Sequence, residues 1–413
     1  MVRKVWKIVV GLLLVLCLAG CASVQEEQSE NTQSGEVVTG TEQENTESVP
    51  GSSENDETED VQVNDNPRMA ALTAKEVVAE MRIGWNLGNT MDSTNSGALK
   101  KAPTKQWETA WGNPVTSEEL IDTIIGQGFN VIRIPVSWVD HLMIAPDYEI
   151  EEKWMARVKE IVDYAYSRGA YVILNTHHEG WYDPYYDNQE AAADRLVKVW
   201  SQIAEQFKDY DEHLIFEGMN EPRKRNTPLE WNGGDQEGWD VVNYLNSVFI
   251  DTIRSAGGNN PYRCLMIPGY AANCTVGIKH LEVPADDNKI IVSVHAYEPY
   301  NFALNVNGTG VWNHDVNAID NLMRNLEALF LRNDIPVIIG EMGAMHKPVE
   351  GNEEERAAWA EYYISKAKEY GVPCVWWDNG LFEGEGELFG LIDRETYEWK
   401  YQKVVDGLFR GLE

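Results

Sequence analysis

The chain has 413 residues, 67 of them Asp or Glu against 34 Lys or Arg, and a formal charge of −33. With 43% hydrophobic residues it is no wholly disordered chain, and so large an acid excess argues against a nucleic-acid partner, whose phosphates need clustered Lys and Arg. Five Cys in this length make no disulfide scaffold, and no apolar run reaches the roughly 18 residues of a membrane span.

Residues 1–21 carry Arg3, Lys4 and Lys7, followed by an apolar run over residues 8–19. This pattern predicts an export signal. It ends Leu18-Ala19-Gly20-Cys21, which resembles the bacterial lipobox, so Cys21 is expected to be lipidated and to tether the protein to a membrane. The expected location is extracellular, on the bacterial cell surface. Residues 22–67 hold 13 acidic side chains, no Lys or Arg and no aromatic residue. Such a segment cannot bury enough apolar surface to offset chain entropy, and it reads as a disordered acidic linker. The signal contributes +3 and the linker −13, so residues 68–413 carry −23 of their own. Cys264, Cys274 and Cys374 fall in that part, either with a bridge between Cys264 and Cys274 or as three thiols.

From residue 68 onward, short apolar and β-branched runs alternate with longer amphipathic stretches. Strands are predicted at residues 83–87, 130–136, 171–176, 214–219, 264–268, 290–295, 337–340 and 374–377. Helices are predicted at residues 117–126, with Thr116 and Glu119 as a capping box, and at 151–168, 190–207, 239–256, 316–332, 353–370 and about 397–408. The connection after the fifth strand is weak and holds at most a short helix. Strands this apolar need cover on both faces, as in parallel sheets. Eight strand–helix units predict one α/β domain over residues 68–413, a closed (β/α)8 TIM barrel.

Polar residues crowd the downstream ends of these strands. Asn86 lies near the end of the first, Arg133 in the second, His177 and His178 after the third, Asn220 and Glu221 after the fourth, His295 and Tyr297 at and after the end of the sixth, Glu341 after the seventh, and Trp376-Trp377-Asp378-Asn379 across the end of the eighth. In a barrel this rim is where chemistry sits. Glu221 and Glu341 belong to opposite walls of the mouth, and a pair of carboxylates across a cleft is what glycoside hydrolysis needs.

The ordered set Gly84-Trp85-Asn86-Leu87-Gly88-Asn89, Trp111-Gly112-Asn113-Pro114, Arg133-Ile134-Pro135, His177-His178, Asn220-Glu221-Pro222, His295-x-Tyr297, Gly340-Glu341 and Trp376-Trp377-Asp378-Asn379 resembles glycoside hydrolase family 5, most of all its subfamily 4 endoglucanases. The resemblance runs from about residue 83 to the C-terminus. It implies an endo-β-1,4-glucanase with a retaining mechanism, Glu221 as acid/base and Glu341 as nucleophile, with the carboxyls about 5–5.5 Å apart. On this reading ionised Glu341 raises the pKa of Glu221 and keeps it protonated. The resemblance also implies substrate-site roles for Asn86, Arg133, His177, Asn220, His295, Tyr297 and one Trp of strand eight. Alternation along a strand lets only one of Trp376 and Trp377 face inward, and Trp376 is favoured. No cofactor or metal is implied: neighbours on a strand point apart, so His177-His178 is no ligand pair, and no third ligand stands at a metal spacing.

Trp107, Trp111, Trp138, Trp181, Tyr182, Trp231 and Trp312 all lie beyond strand ends, and broad rigid aromatic faces suit sugar rings. A β-glucan polysaccharide or oligosaccharide is therefore the expected partner. Xyloglucan, mannan or xylan as substrate, and a non-catalytic glycan-binding barrel, stand as alternatives, because the motifs at the cut bond do not discriminate among them.

Overall fold

The computed structural model describes residues 63, 64, 66–94 and 103–413. The signal with Cys21 and nearly all of the acidic linker lie outside the described residues. The fold begins earlier than composition indicated: Val63 bridges to Gly258, and the Asn66 side chain caps helix α1 (Pro67–Ala71).

Eight parallel strands close into a barrel in chain order: β1 (Ile83–Leu87), β2 (Val131–Ile134), β3 (Tyr171–Asn175), β4 (Leu214–Glu217), β5 (Leu265–Asn273), β6 (Ile290–His295), β7 (Val337–Met342) and β8 (Cys374–Asp378), with β8 pairing back to β1. Helix α2 (Ala74–Ala79) precedes the barrel, and α3 (Thr104–Glu108) lies in the β1 connection. The outer ring is α4 (Glu118–Gln127), α5 (Glu152–Tyr166), α6 (Gln189–Gln206), α7 (Gln236–Arg254), α9 (Asn317–Leu329), α10 (Asn352–Glu369) and α11 (Gln402–Arg410), with the short α8 (Tyr300–Ala303) after β6. After β5 comes only a 3-10 turn, Gly277–His280, as the weak pattern there predicted.

Two expectations change. Ser117, not Thr116, caps α4 by accepting from the Leu120 N–H at 3.1 Å, while the Thr116 N–H donates to Glu108. Strand four stops at Glu217, so Glu221 stands on the loop beyond it. Cys264, Cys274 and Cys374 are buried free thiols, with no bridge between the first two.

The barrel interior is layered. Met81 and the α2 residues Ala74, Val77 and Val78 join Val131, Tyr171, Ile173, Ile215, Cys264, Met266, Ile291, Ile338 and Val375 in one apolar plug at the upstream end. The outward-facing strand residues, Trp85, Ile132, Leu174, Phe216 and Trp376 among them, pack with the helices in the larger core. Because side chains alternate, the next inward positions downstream of the plug are Asn86, Arg133, Asn175, Glu217 and Ser293, which make the polar floor of the mouth.

Candidate active site

Arg133 is the centre of that floor. It has no solvent exposure and spends its guanidinium on four side chains. Nε donates to Glu217 Oε2 at 2.8 Å, Nη1 to Asn86 Oδ1 and Glu341 Oε1 at 2.9 Å each, and Nη2 to Asn220 Oδ1 at 2.6 Å. Burial works against its charge, but Glu217 and Glu341 outweigh burial and hold it firmly protonated. Glu217 is closed in turn by Asn175 Nδ2 at 3.1 Å and the Ser293 hydroxyl at 2.6 Å. Asn86, expected as a substrate contact, is buried beneath the rim: its amide nitrogen donates to the Gly340 carbonyl at 2.9 Å and its oxygen is taken by Arg133. It orients Arg133 and has no surface for a ligand.

Glu341 reaches this centre because β7 carries a bulge. Val294 pairs with Ile339, yet the next residue of β6, His295, pairs with Glu341, so β7 has one extra residue here. The bulge inverts the alternation. Ile338 faces the interior, Met342 packs outward, and Glu341 points inward between Arg133 and Tyr297, whose hydroxyl donates to Oε2 at 2.9 Å. Burial raises the Glu341 pKa above the usual glutamate range, against the lowering charges of His295 and Arg133.

Glu221 enters from the opposite wall. Its Oε1 lies 2.7 Å from His295 Nδ1, and the same nitrogen is 3.5 Å from Glu341 Oε2. One oxygen of each carboxylate and a ring nitrogen of His295 lie within 4.8 Å of one another. Burial pushes Glu221 up, but the His295 hydrogen bond and the charges of His295, Arg223 and His178 outweigh it and leave Glu221 below the usual range. His295 is raised, with burial overcome by Glu341 and Glu221. This reverses the expected order of the two acids. Carboxylate repulsion taken alone puts the proton on Glu221, whereas an imidazole between the pair draws it toward His295.

The inward aromatic of strand eight is Trp377, not Trp376. Trp376 is fully buried behind the sheet, donates from Nε1 to the Phe389 carbonyl at 3.0 Å, and meets Trp359 edge-on. The parity of β8 follows from Val375, which belongs to the interior plug, so Trp377 faces the same way. Trp377 retains 8% exposure and lies parallel to the His177 ring at 5.8 Å. Gly88 permits this: a Cβ there would stand 2.9 Å from the Trp377 ring and 2.8 Å from the Asp378 carbonyl.

His177 and His178 meet edge-on at 4.4 Å rather than pointing apart, and Asp92 from the β1 loop brings a carboxylate oxygen within 4.8 Å of ring nitrogens of both. The expectation that no third ligand-type group stands near them is thus corrected. Asp92 is already engaged by the backbone N–H groups of Asn89 and Thr90. Burial, reinforced by His178 and Arg133, keeps His177 neutral, and burial brings His178 down to about 4.

Of the seven loop aromatics, Trp107, Trp138, Tyr182 and Trp312 are buried and pack their own loops, while Trp111 and Trp181 are half-buried and Trp231 is 57% exposed. The sequence reading missed Glu217, Ser293 and Arg223. A charged residue inside the apolar run Leu214-Ile215-Phe216-Glu217 was the available signal for the first, because a lone buried carboxylate demands a partner.

Comparison with known proteins gives the family. Endoglucanase B of Neocallimastix patriciarum is 53% identical over 348 residues, covering 83% of this chain and 73% of that protein. The broad-specificity GH5-4 endoglucanase of Ruminococcus champanellensis with bound cellotriose superposes with a TM-score of 0.79 at 44% identity, covering 82% of this chain and 98% of that one. A xyloglucan-specific endo-β-1,4-glucanase from a metagenomic library, in complex with cellotriose, gives 0.76 at 41% identity, covering 81% and 98%. The family profile described as cellulase, glycosyl hydrolase family 5, matches residues 91–383, and the chain belongs to that family.

Proposed function

We propose that this protein is an endo-acting β-1,4-glucanase that cleaves β-glucan chains by retaining double displacement. Glu341 attacks the anomeric carbon, and Glu221 gives a proton to the leaving oxygen. The observation that carries the mechanism is the approach of the two carboxylates within 4.8 Å. Inverting enzymes hold their carboxyls about 6.5–9.5 Å apart to admit a water between acid and sugar, and this cleft has no such gap. Arg133 and the Tyr297 hydroxyl orient Glu341 and favour its ionised form. The proton needed by the leaving group is held in the Glu221–His295 pair at 2.7 Å. Once Glu341 becomes a neutral ester, one negative charge leaves the cluster, and Glu221 is free to take a proton from the hydrolytic water.

Asn220, with its oxygen fixed by Arg133, turns its NH2 away from that guanidinium and is suited to the sugar 2-hydroxyl, a contact that strengthens toward the transition state. Trp377 and His177 form the wall against which the sugar at the cut bond stacks. The GH5-4 and xyloglucan-specific neighbours support glucan, including xyloglucan, over mannan or xylan.

Glu341→Ala should lose nearly all turnover while still binding cello-oligosaccharide, and azide should restore cleavage with an α-glycosyl azide as product. Rates like those of the wild type in Glu341→Ala overturn the assignment. The Leu18-Ala19-Gly20-Cys21 sequence supports a lipid anchor that holds the enzyme at the outer cell surface. Cys21→Ala should move activity from the membrane fraction to the soluble fraction, and unchanged membrane activity argues against the anchor.

A further inference from the structure

Asn175, the last residue of β3, has no solvent exposure, and its neighbours fix both ends of its amide. The Val136 N–H can only donate, and it donates to Oδ1 at 3.0 Å. Glu217 Oε2 lies 3.1 Å from Nδ2, and the same oxygen accepts from Arg133 Nε at 2.8 Å. Exchanging the amide oxygen and nitrogen would set oxygen against carboxylate and N–H against N–H, so one orientation survives. The second Nδ2 hydrogen then meets His177 Nδ1 at 3.1 Å. The His177 N–H donates to the Val136 carbonyl at 2.8 Å, which holds the ring beside that amide.

A donor fixed against Nδ1 has one consequence. That nitrogen must keep its lone pair, so the proton of the neutral His177 ring sits on Nε2. A second proton on Nδ1 would face the Asn175 N–H, a geometric obstacle that adds to the burial keeping His177 uncharged. His295 on β6 is the reverse case: its Nδ1 meets a carboxylate, Glu221 at 2.7 Å, and shares a proton with it. His177 Nε2 makes no hydrogen bond among the described residues, and unlike the enclosed Nε2 of His295 it keeps access to solvent. Its ring stands parallel to Trp377 at 5.8 Å, on the cleft wall.

We propose that Asn175 is a positioning residue that selects the Nε2–H tautomer of His177, and so makes this imidazole a neutral donor to a hydroxyl oxygen of the sugar at the cut bond. The assignment rests on the proposed cleavage of glucan in this cleft. A pyranose hydroxyl can give or take a hydrogen bond, whereas a wall nitrogen that can only give decides which way the hydroxyl turns. The reverse tautomer would set a lone pair against that oxygen. Glu217 gains a purpose as well. It accepts from Arg133 and from Asn175, and so links the group that orients Glu341 to the group that orients His177.

Asn175→Asp is the informative change. One carboxyl oxygen still accepts from Val136, and the other lies between Glu217 Oε2 and His177 Nδ1. Any proton it holds goes to Glu217, so His177 faces an acceptor and its own proton moves to Nδ1. Proton–nitrogen correlation spectra of protein labelled with 15N-histidine read the tautomer without turnover, with the His177 signals identified by their loss in His177→Ala. Wild-type His177 should show Nε2–H, and Asn175→Asp should show Nδ1–H. Nδ1–H in the wild type, or the same pattern in both proteins, overturns the proposal. Asn175→Ala serves where the aspartate variant does not fold: without the donor both tautomers should be populated, and a pure Nε2–H pattern overturns the proposal too.

A double-mutant cycle on cellohexaose tests the link to catalysis. Asn175→Asp should lower kcat/KM about 10–100-fold when His177 is present. In His177→Ala, where no tautomer remains to be set, the further loss should be less than about threefold. Equal losses in the two backgrounds mean a merely structural Asn175 and overturn the positioning role. If the tautomers behave as stated but the wild type does not cleave cellohexaose, the glucanase reading fails and the selection of the tautomer by Asn175 stands.

Discussion

His295 Nδ1 sits 2.7 Å from Glu221 Oε1, and from that position it also comes within 3.5 Å of Glu341 Oε2. The imidazole therefore belongs to both acids, and the proton budget of the cleft is shared by three groups rather than two. His295 lowers both acids: it outweighs burial at Glu221, with Arg223 and His178, whereas at Glu341 burial still prevails and leaves that acid raised.

The sign of a His295 deletion follows. In the proposed mechanism Glu341 must be ionised to attack, so its raised pKa should place the acid limb of kcat/KM above the ordinary glutamate range. His295 lowers Glu341 as a neighbouring cation. Its removal in His295→Ala should push the acid limb further up in pH and reduce kcat/KM on unactivated glucan by about 10²–10³-fold. Rate profiles of the two proteins across the acid side measure this, and an acid limb that stays put contradicts the shared-proton account.

Loss of Arg133 should cost both stability and turnover. It is a buried cation between two buried carboxylates, so Arg133→Ala strands Glu217 and Glu341 together. Removing one partner of a buried ion pair costs about 3–5 kcal/mol. The expected outcome in chemical denaturation is a lower midpoint with unchanged slope, accompanied by loss of turnover, because Glu341 and Asn220 lose their common anchor. Arg133→Lys keeps a charge but cannot form four hydrogen bonds in one plane, and it should recover stability only in part and activity hardly at all.

Trp376 and Trp377 are adjacent, and their substitutions should separate cleanly. Trp376→Ala opens a cavity in the fully buried outer core and should cost about 3–5 kcal/mol of stability. Trp377→Ala lies on the cleft and should lower kcat/KM at least tenfold, with a smaller change in stability. Thermal denaturation together with kinetics on cellohexaose distinguishes them; the opposite pattern would mean that the register of β8 is wrong.

The two tryptophans also mark how far a sequence can be read. Strands β1 and β6 were predicted with their observed bounds, because each is a short apolar run with polar residues after it. The rim followed, since closure of the barrel brings all downstream ends together. Parity did not follow. In β8 every residue from Cys374 to Asp378 is buried, so no polar-apolar alternation distinguishes inside from outside. At Glu341 the bulge inverts alternation, and extra residues in a ladder leave little mark on composition. The last part of β5 was missed because Ala271 and Ala272 take left-handed conformations that favour glycine, a choice imposed by tertiary contacts. The pKa order of the acids was unreadable for a different reason. Sequence placed His295 on the rim but could not give its distance to both carboxylates.

The central claim is that Glu221 and Glu341, held within 4.8 Å, act by double displacement. Proton NMR of cellohexaose cleavage within the first minutes, before mutarotation, tests it most directly. The account predicts that the new reducing ends appear as the β-anomer and drift only later toward the equilibrium mixture. Initial release of the α-anomer would contradict it.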